Sequence, residues 1–231
     1  NGKVEAVLTG KQLNAEQRKA MLLDLERGVR TGDEVLPWQT DTCIGEWHYK
    51  RSIFEQHRYK TSKQVVQMLI DIVSKNGNLM LSVPVRAVGT LDEDEIACVE
   101  GIGRWMTVNG EGIYATRPWT VYGEGPSTEA ANQGRSMFGG GSDVRSYSPE
   151  DFRFMKKGDT VFAVLMAWPD NGKATIKSLA KGSAHYPKEI GKIELLGAGT
   201  VKFSREVEGL VISLPDQKPN DYAYVLKVTP A

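Results

Sequence analysis

The sequence is poor in cysteine, histidine and net charge, and each shortage removes a class of function. Two cysteines, Cys43 and Cys98, are too few for a disulfide framework, and neither stands in a CxxC pair. Of three histidines only His48 and His57 lie close together, with no further ligand at suitable spacing, so no metal site is expected. Lysine plus arginine number 29 and aspartate plus glutamate 29, a balance that argues against nucleic-acid binding through bulk charge. No apolar run reaches the roughly 20 residues of a membrane-spanning helix and neither end carries a lipidation motif, so no membrane partner is expected. The glycine run at residues 138–142 (FGGGS) lacks the Gly-Lys-Ser/Thr ending of a phosphate loop and reads as a linker. A signal peptide is also missing. The chain opens Asn1-Gly2-Lys3 without methionine, which reads as the middle of a longer protein and leaves export open.

What is present falls into two halves, in a length that suits one large domain or two smaller ones. Residues 4–8 (VEAVL) predict a short buried strand. Helical spacing over 13–26, with Asn14 as cap and Gly28 as stop, predicts a helix. Residues 38–45 predict an extended segment and 47–59 a loop or broken helix. Val65, Val66, Met68, Leu69, Ile72 and Val73 form a wide apolar face on a helix capped at Thr61 or Ser62 and ended by Asn76-Gly77. Residues 78–83 (NLMLSV) predict a strand covered on both sides, and 92–108 a further helix. This alternation is that of an α/β fold with parallel strands. From residue 152 onward short alternating runs separated by turn signals predict an antiparallel β-sandwich. The expected organisation is α/β followed by all-β, with residues 1–120 as one portion and 121–231 as linker and sandwich. Three βα units do not close a sheet, so the first portion is expected to be the C-terminal part of a (β/α)8-like barrel, its chemistry at the strand ends after Leu8, Gly45 and Val83.

Residues 37–59 (PWQTDTCIGEWHYKRSIFEQHRY) concentrate two of the five tryptophans, two histidines and a cysteine. Rings beside carboxylates suit a sugar: a ring covers the apolar face of a pyranose and a carboxyl group moves a proton. Glu55 follows Ile53-Phe54, an apolar setting of the kind that keeps an acid protonated, and Glu46 between Gly45 and Trp47 is the alternate. Trp38, Trp47, His48 and Tyr49 are candidate sugar contacts, and Leu79 stands at a strand mouth. The competing reading fills a core with the rings, leaves Glu55 as an exposed loop carboxylate and makes Glu46 a salt-bridge partner.

Several segments together resemble a known family. They are 37–45 (PWQTDTCIG) with Trp47-His48-Tyr49, 71–81 (DIVSKNGNLML), and Trp105 with 108–119 (VNGEGIYATRPW). In the β-rich half they are 157–160 (KGDT), 176–179 (IKSL), 193–197 (IELLG) and 221–226 (DYAYVL). The chain resembles the C-terminal half of the α-L-fucosidases of glycoside hydrolase family 29, of the gut-bacterial type. The resemblance implies a (β/α)8-like barrel followed by a β-sandwich. It implies hydrolysis of terminal α-L-fucosyl linkages of glycans with retention, by an Asp nucleophile and a Glu acid/base, with no cofactor. It also implies a periplasmic or secreted bacterial protein. On this likeness Glu55 is the acid/base, and Leu79 stands where the family often has a ring. An Arg that the family often carries within the segment matched by residues 40–43 is absent, with Arg27 or Arg51 as possible substitutes. The family's nucleophile pattern, like Val-Asn-Asp-Arg, falls on residues 7–11 (VLTGK) and offers Gly10. The nucleophile is then replaced or lies upstream of Asn1, and the chain alone is expected to be a poor hydrolase. The alternative from another class is a catalytically silent carbohydrate-binding relative.

Overall fold

A computed structural model describes residues 6–30, 32, 34–131 and 145–231. Val4, Glu5 and the glycine run at 138–142 fall outside these. Four parallel strands form the first sheet in the order β1 (Thr9–Gly10), β2 (Leu22–Glu26), β3 (Trp38–Cys43) and β4 (Gly77–Ser82). Helix α1 (Arg51–Glu55) and helix α2 (Ser62–Ser74) follow β3, and α3 (Glu93–Asn109) follows β4. Reciprocal capping boxes start both long helices, Thr61 with Gln64 and Asp92 with Glu95, each satisfying two otherwise orphaned N–H groups.

Two expectations in the first 30 residues need correction. Ala6 to Leu8 carry no regular structure, and the strand is the dipeptide after them. The helix expected over 13–26 is a single 3₁₀ turn (Gln17–Lys19) followed by strand β2. Asn14 and Gln17 do bond reciprocally, N–H to side-chain oxygen at 2.9 Å in both directions, but the turn goes no further. Leu22, Leu23 and Leu25 fit a helical face, yet pairing of β2 with strands on both sides prevails over local periodicity.

The second half is antiparallel. Six strands run in the order β10 (Gly199–Thr200), β9 (Ile190–Leu195), β13 (Tyr224–Pro230), β7 (Thr160–Leu165), β6 (Phe152–Lys157) and β5 (Arg117–Glu124). Three more form a facing sheet, β11 (Lys202–Arg205), β12 (Leu210–Ser213) and β8 (Lys173–Ile176). β5 runs across the expected boundary at residue 120 to pair with β6, and a short helix α4 (Pro126–Ala131) follows it where a linker is expected.

The six-stranded sheet is covered on both faces. Val161, Ala163 and Leu165 of β7 point into the core shared with the three-stranded sheet, among Phe154, Ile193, Ile212 and Leu226. Phe162, Val164 and Met166, on the opposite parity, pack with Val66 and Ile70 of α2 and Trp105 of α3. That double burial explains why residues 161–166 are apolar throughout rather than alternating. The other side of α2 lies on the parallel sheet through Val65, Met68 and Ile72. The molecule is thus a stack of parallel sheet, helices, long antiparallel sheet and short antiparallel sheet. Polar ties cross the middle: Gln67 Nε2 donates to the Met166 carbonyl at 2.8 Å and Trp105 Nε1 to that of Ala223 at 2.9 Å.

Candidate active site

The register of the parallel sheet sorts its side chains onto two faces. Leu23 and Leu25 of β2, Trp38 of β3, and Leu79 and Leu81 of β4 turn to the helices. Asp24, Glu26, Gln39 and Asp41 take the other parity, so the face away from the helices is polar, with Asp24 opposite Gln39 and Glu26 opposite Asp41. Gln39 Nε2 donates to Asp24 Oδ1 at 3.1 Å across it. Because the strands are parallel, their carboxyl ends meet at one rim. Lys11 follows β1 there, Arg27 follows β2, Glu46 and Trp47 follow β3, and Arg86 lies beyond β4.

Lys11 gathers the carboxylates. Its Nζ stands 2.9 Å from Glu26, 3.2 Å from Asp41 and 3.8 Å from Asp24. The hydrogen bond from Lys11, helped by its charge, holds the Glu26 carboxyl below the usual range, and the Trp47 side chain adds to this. Burial pulls Lys11 down, but its bonds to Glu26 and Asp41 outweigh that and leave it raised. Arg27 sits beside this group with a left-handed backbone, φ +48°. Its Nη2 reaches Cys43 Sγ at 3.0 Å and Glu46 Oε2 at 3.3 Å, and its guanidinium lies over the Trp47 ring at 5.2 Å. Arg27 Nε and Asp41 Oδ1 are buried without a hydrogen-bond partner among the described residues. A second group lines the rim at β4: Arg86 lies over the Phe54 ring at 5.5 Å, bonds Glu93 at 3.0 Å, and is held in its charged form first by Tyr49.

The residues singled out by sequence divide between rim, core and outer surface. Glu46, Trp47 and Tyr49 are at the rim, and His48 beside them is exposed. Trp38 must be withdrawn as a sugar contact. It is wholly buried at the opposite end of β3, its indole N–H donating to the Lys75 carbonyl at 2.8 Å. Leu79 is withdrawn likewise, because its parity packs it toward the helices. Glu55 lies on α1, bonded at 2.8 Å to Arg51 of the same helix turn. Exposure does not separate it from Glu26, 54% against 52%, but company does: only Glu26 shares a cation with other carboxylates. Gly10 ends β1 with no carboxylate, and a Cβ there meets Leu13 at 2.7 Å. Lys11, Asp24, Glu26 and Asp41 are absent from the candidates drawn by sequence. The signal for two of them was the alternation in LLDLE, which a strand turns into paired carboxylates on one face.

Strand-end carboxylates with a half-buried indole beside them can move a proton at a sugar glycosidic oxygen. Comparison with known proteins points the same way. Residues 3–111 match the family model described as alpha-L-fucosidase, and residues 148–229 match that of the alpha-L-fucosidase C-terminal domain. The chain is similar to tissue alpha-L-fucosidase of Homo sapiens, 27% identical over 200 residues, covering 83% of this chain and 37% of that protein. The chain therefore spans well under half the length of that curated relative. Among solved structures, an alpha-fucosidase of Thermotoga maritima in complex with a mechanism-based inhibitor superposes with a TM-score of 0.67 at 22% identity, covering 90% of this chain and 42% of that one. A GH29 alpha-L-fucosidase of Bacteroides thetaiotaomicron, a trapped covalent intermediate, superposes with a TM-score of 0.65 at 20% identity, covering 90% and 44%. Two models of one family, matched in succession over most of the sequence, and a shared fold identify the chain as a member of the alpha-L-fucosidase family.

Proposed function

We propose that the chain carries part of a retaining site that hydrolyses terminal α-L-fucosyl linkages of glycans, with Glu26 rather than Glu55 as the acid/base. The observation that supports this is the place of Glu26: a strand-end carboxylate at the rim, beside Trp47 and within reach of a second carboxylate. In the first half-reaction the Glu26 carboxyl gives its proton to the glycosidic oxygen as the C1–O bond breaks and a carboxylate nucleophile bonds to C1. In the second, ionised Glu26 takes a proton from water, whose oxygen bonds to C1 as the nucleophile leaves. Lys11 holds Glu26 ionised at rest, the form needed for the second step, so bound substrate has to loosen that contact for the first. The relatives with a mechanism-based inhibitor and a trapped covalent intermediate support double displacement. The bacterial source, the export and the placement of the chain as the C-terminal part of a longer fucosidase belong to this proposal.

A second reading concerns the nucleophile. Glu26 and Asp41 both touch Lys11, so their contacting oxygens are at most about 6 Å apart, a bound that admits the roughly 5–5.5 Å of a retaining pair. Asp41 is then the candidate nucleophile in this chain. The test is release of aglycone from aryl α-L-fucosides. Glu26→Gln should lose about 10²–10⁴-fold on a poor leaving group, much less on a good one, with azide restoring turnover. Glu55→Gln should change little. Equal activity of Glu26→Gln and the parent returns the assignment to Glu55 or Glu46, and no turnover by the parent favours a silent sugar-binding relative. Mass spectrometry after incubation with a 2-fluoro fucosyl fluoride decides whether the peptide carrying Asp41 is labelled.

A further inference from the structure

We propose that Arg117 and Lys156, at one end of the sandwich, bind the oxyanion of an acidic glycan, a sulfate ester or carboxylate carried on a sugar chain. The two residues are register partners on β5 and β6, so they stand directly opposite each other on one face of the long sheet. Side chains so placed have Cβ atoms about 4.5–5.5 Å apart, and like charges there repel. Both residues are exposed, and neither has a carboxylate within ion-pair distance among the described residues. Other lysines of this half are paired: Lys188 with Asp159 at 2.7 Å, Lys192 with Glu194 at 2.8 Å, and Lys218 with Asp221 and Lys227 with Glu111, both at 2.6 Å. Asp159, in the turn just past Lys156, is therefore taken by Lys188. Arg117 Nη1 donates to the Thr116 carbonyl at 2.8 Å, which leaves the rest of the guanidinium for a ligand.

The sheet itself does not call for this pair. β5 is an edge strand, where a cation discourages pairing with a further strand, but Lys156 lies on the strand inside it. A glutamate at that position would turn repulsion into attraction. What the pair supplies is a planar fork of N–H donors beside a rotatable ammonium, converging from neighbouring strands on one oxyanion. Rings continue the same face. Trp119 and Phe154, two positions along each strand, meet edge to face at 5.1 Å, and the exposed His185 ring lies against Trp119 at 6.1 Å. An exposed ring near two cations offers a sugar an apolar face as well as a charge. That the carrier is a glycan rests on the fucosidase reading; that the ligand is an anion rests on the pair alone.

Calorimetric titration tests this with four probes: a sulfated oligosaccharide, the same chain desulfated, a uronic-acid oligosaccharide and sodium sulfate. At least one acidic chain should bind, the desulfated chain should not, and added sodium chloride should weaken binding. Arg117→Gln and Lys156→Gln should each weaken it about 10-fold. Lys192→Gln, which removes a lysine already paired with Glu194, should leave it unchanged. Without ligand, Lys156→Gln should melt no lower than the parent, because repulsion is relieved. The bound chain should raise the Tm of the parent more than that of the variant. Equal binding by the parent and Lys156→Gln overturns the proposal, as does equal binding of the sulfated and desulfated chains. Binding of sodium sulfate without either acidic chain overturns the glycan as ligand. The fucosidase reading fails or stands separately, on Glu26→Gln kinetics.

Discussion

Asp71 on α2 and Arg153 on β6 form a buried ion pair, Oδ1 to Nε at 2.6 Å, across the junction of the helices with the long antiparallel sheet. Lys75, one helical turn beyond Asp71, takes the other oxygen at 2.7 Å, and all three side chains are almost wholly removed from solvent. The Tyr122 ring lies under both cations, at 4.9 Å from Lys75 Nζ and 5.7 Å from the Arg153 guanidinium carbon.

Removing the shared carboxylate should therefore be costly. Asp71→Asn leaves two buried cations with a neutral partner, and breaking such a pair typically costs about 3–5 kcal/mol. Urea unfolding of the variant should show that loss without a change in slope. A loss under about 1 kcal/mol would mean that water reaches the cluster.

The same cluster gives stability a pH dependence with two windows. Burial opposes ionisation of Asp71, but Lys75 and Arg153 prevail and hold its pKa well below the ordinary value. Its contribution is present above the unfolded value near 3.8 and is lost as pH falls below that. Lys75 goes the other way. Burial, with repulsion from Arg153 and against attraction from Asp71, lowers it from an ordinary 10.5 to about 8. The unfolded chain then binds the extra proton between those values, so the parent gains stability relative to Lys75→Met as pH rises from about 8 towards 10.5. Chemical denaturation at stepped pH should show both windows, and a flat difference from pH 7 to 10 contradicts the second.

At the rim, Lys11→Met should release Glu26 upward towards an ordinary carboxyl value, since the bond from Lys11 is the largest cause of its lowering. A carboxyl NMR titration reads this directly. An unmoved Glu26 midpoint in Lys11→Met would show that the contact does not persist in solution.

Packing gives a further prediction. A Cβ on Gly77 meets the Trp38 ring at 2.6 Å and Ile72 at 2.7 Å, all three in the layer between β3, β4 and α2. Gly77→Ala should destabilise by about 1–3 kcal/mol through overpacking. Gly103→Ala, on α3 with nothing within 4 Å, should be neutral or stabilising by up to about 1 kcal/mol. Thermal melts of the two variants should move in opposite directions or differ by several degrees.

Most of the fold was legible because its long elements agree with their neighbours. The cap at Thr61, the apolar face of α2 and the turn-punctuated strands of the sandwich mean the same thing locally and globally. The site was less legible, for a definite reason. Leu22, Leu23 and Leu25 satisfy helical and strand periods alike over five residues, and only the pairing of β2 with β1 and β3 decides between them. Read as helix, Glu26 is one more surface charge; read as strand, it stands opposite Asp41. Trp38 and Asp41 are an equal lesson. Three positions apart in one strand they have opposite parity, so the ring that drew attention is core and the carboxylate that did not is at the rim.

Because α2 is buried between two sheets, the boundary seen in sequence is not a seam along which the molecule separates. Grafting the sandwich of a relative onto the parallel sheet of this chain would replace Phe162, Val164 and Met166 while keeping Val66, Ile70 and Trp105, and so divide one interlocked layer between two sources. Moving α2 and α3 with the sandwich divides the other layer instead, in which Val65, Met68 and Ile72 pack on the parallel sheet, so neither cut leaves both cores whole. A cavity cut into β7 at Val164 would be felt through Val66 and Ile70 of α2, and from the other side of that helix by the sheet that carries Glu26 and Asp41.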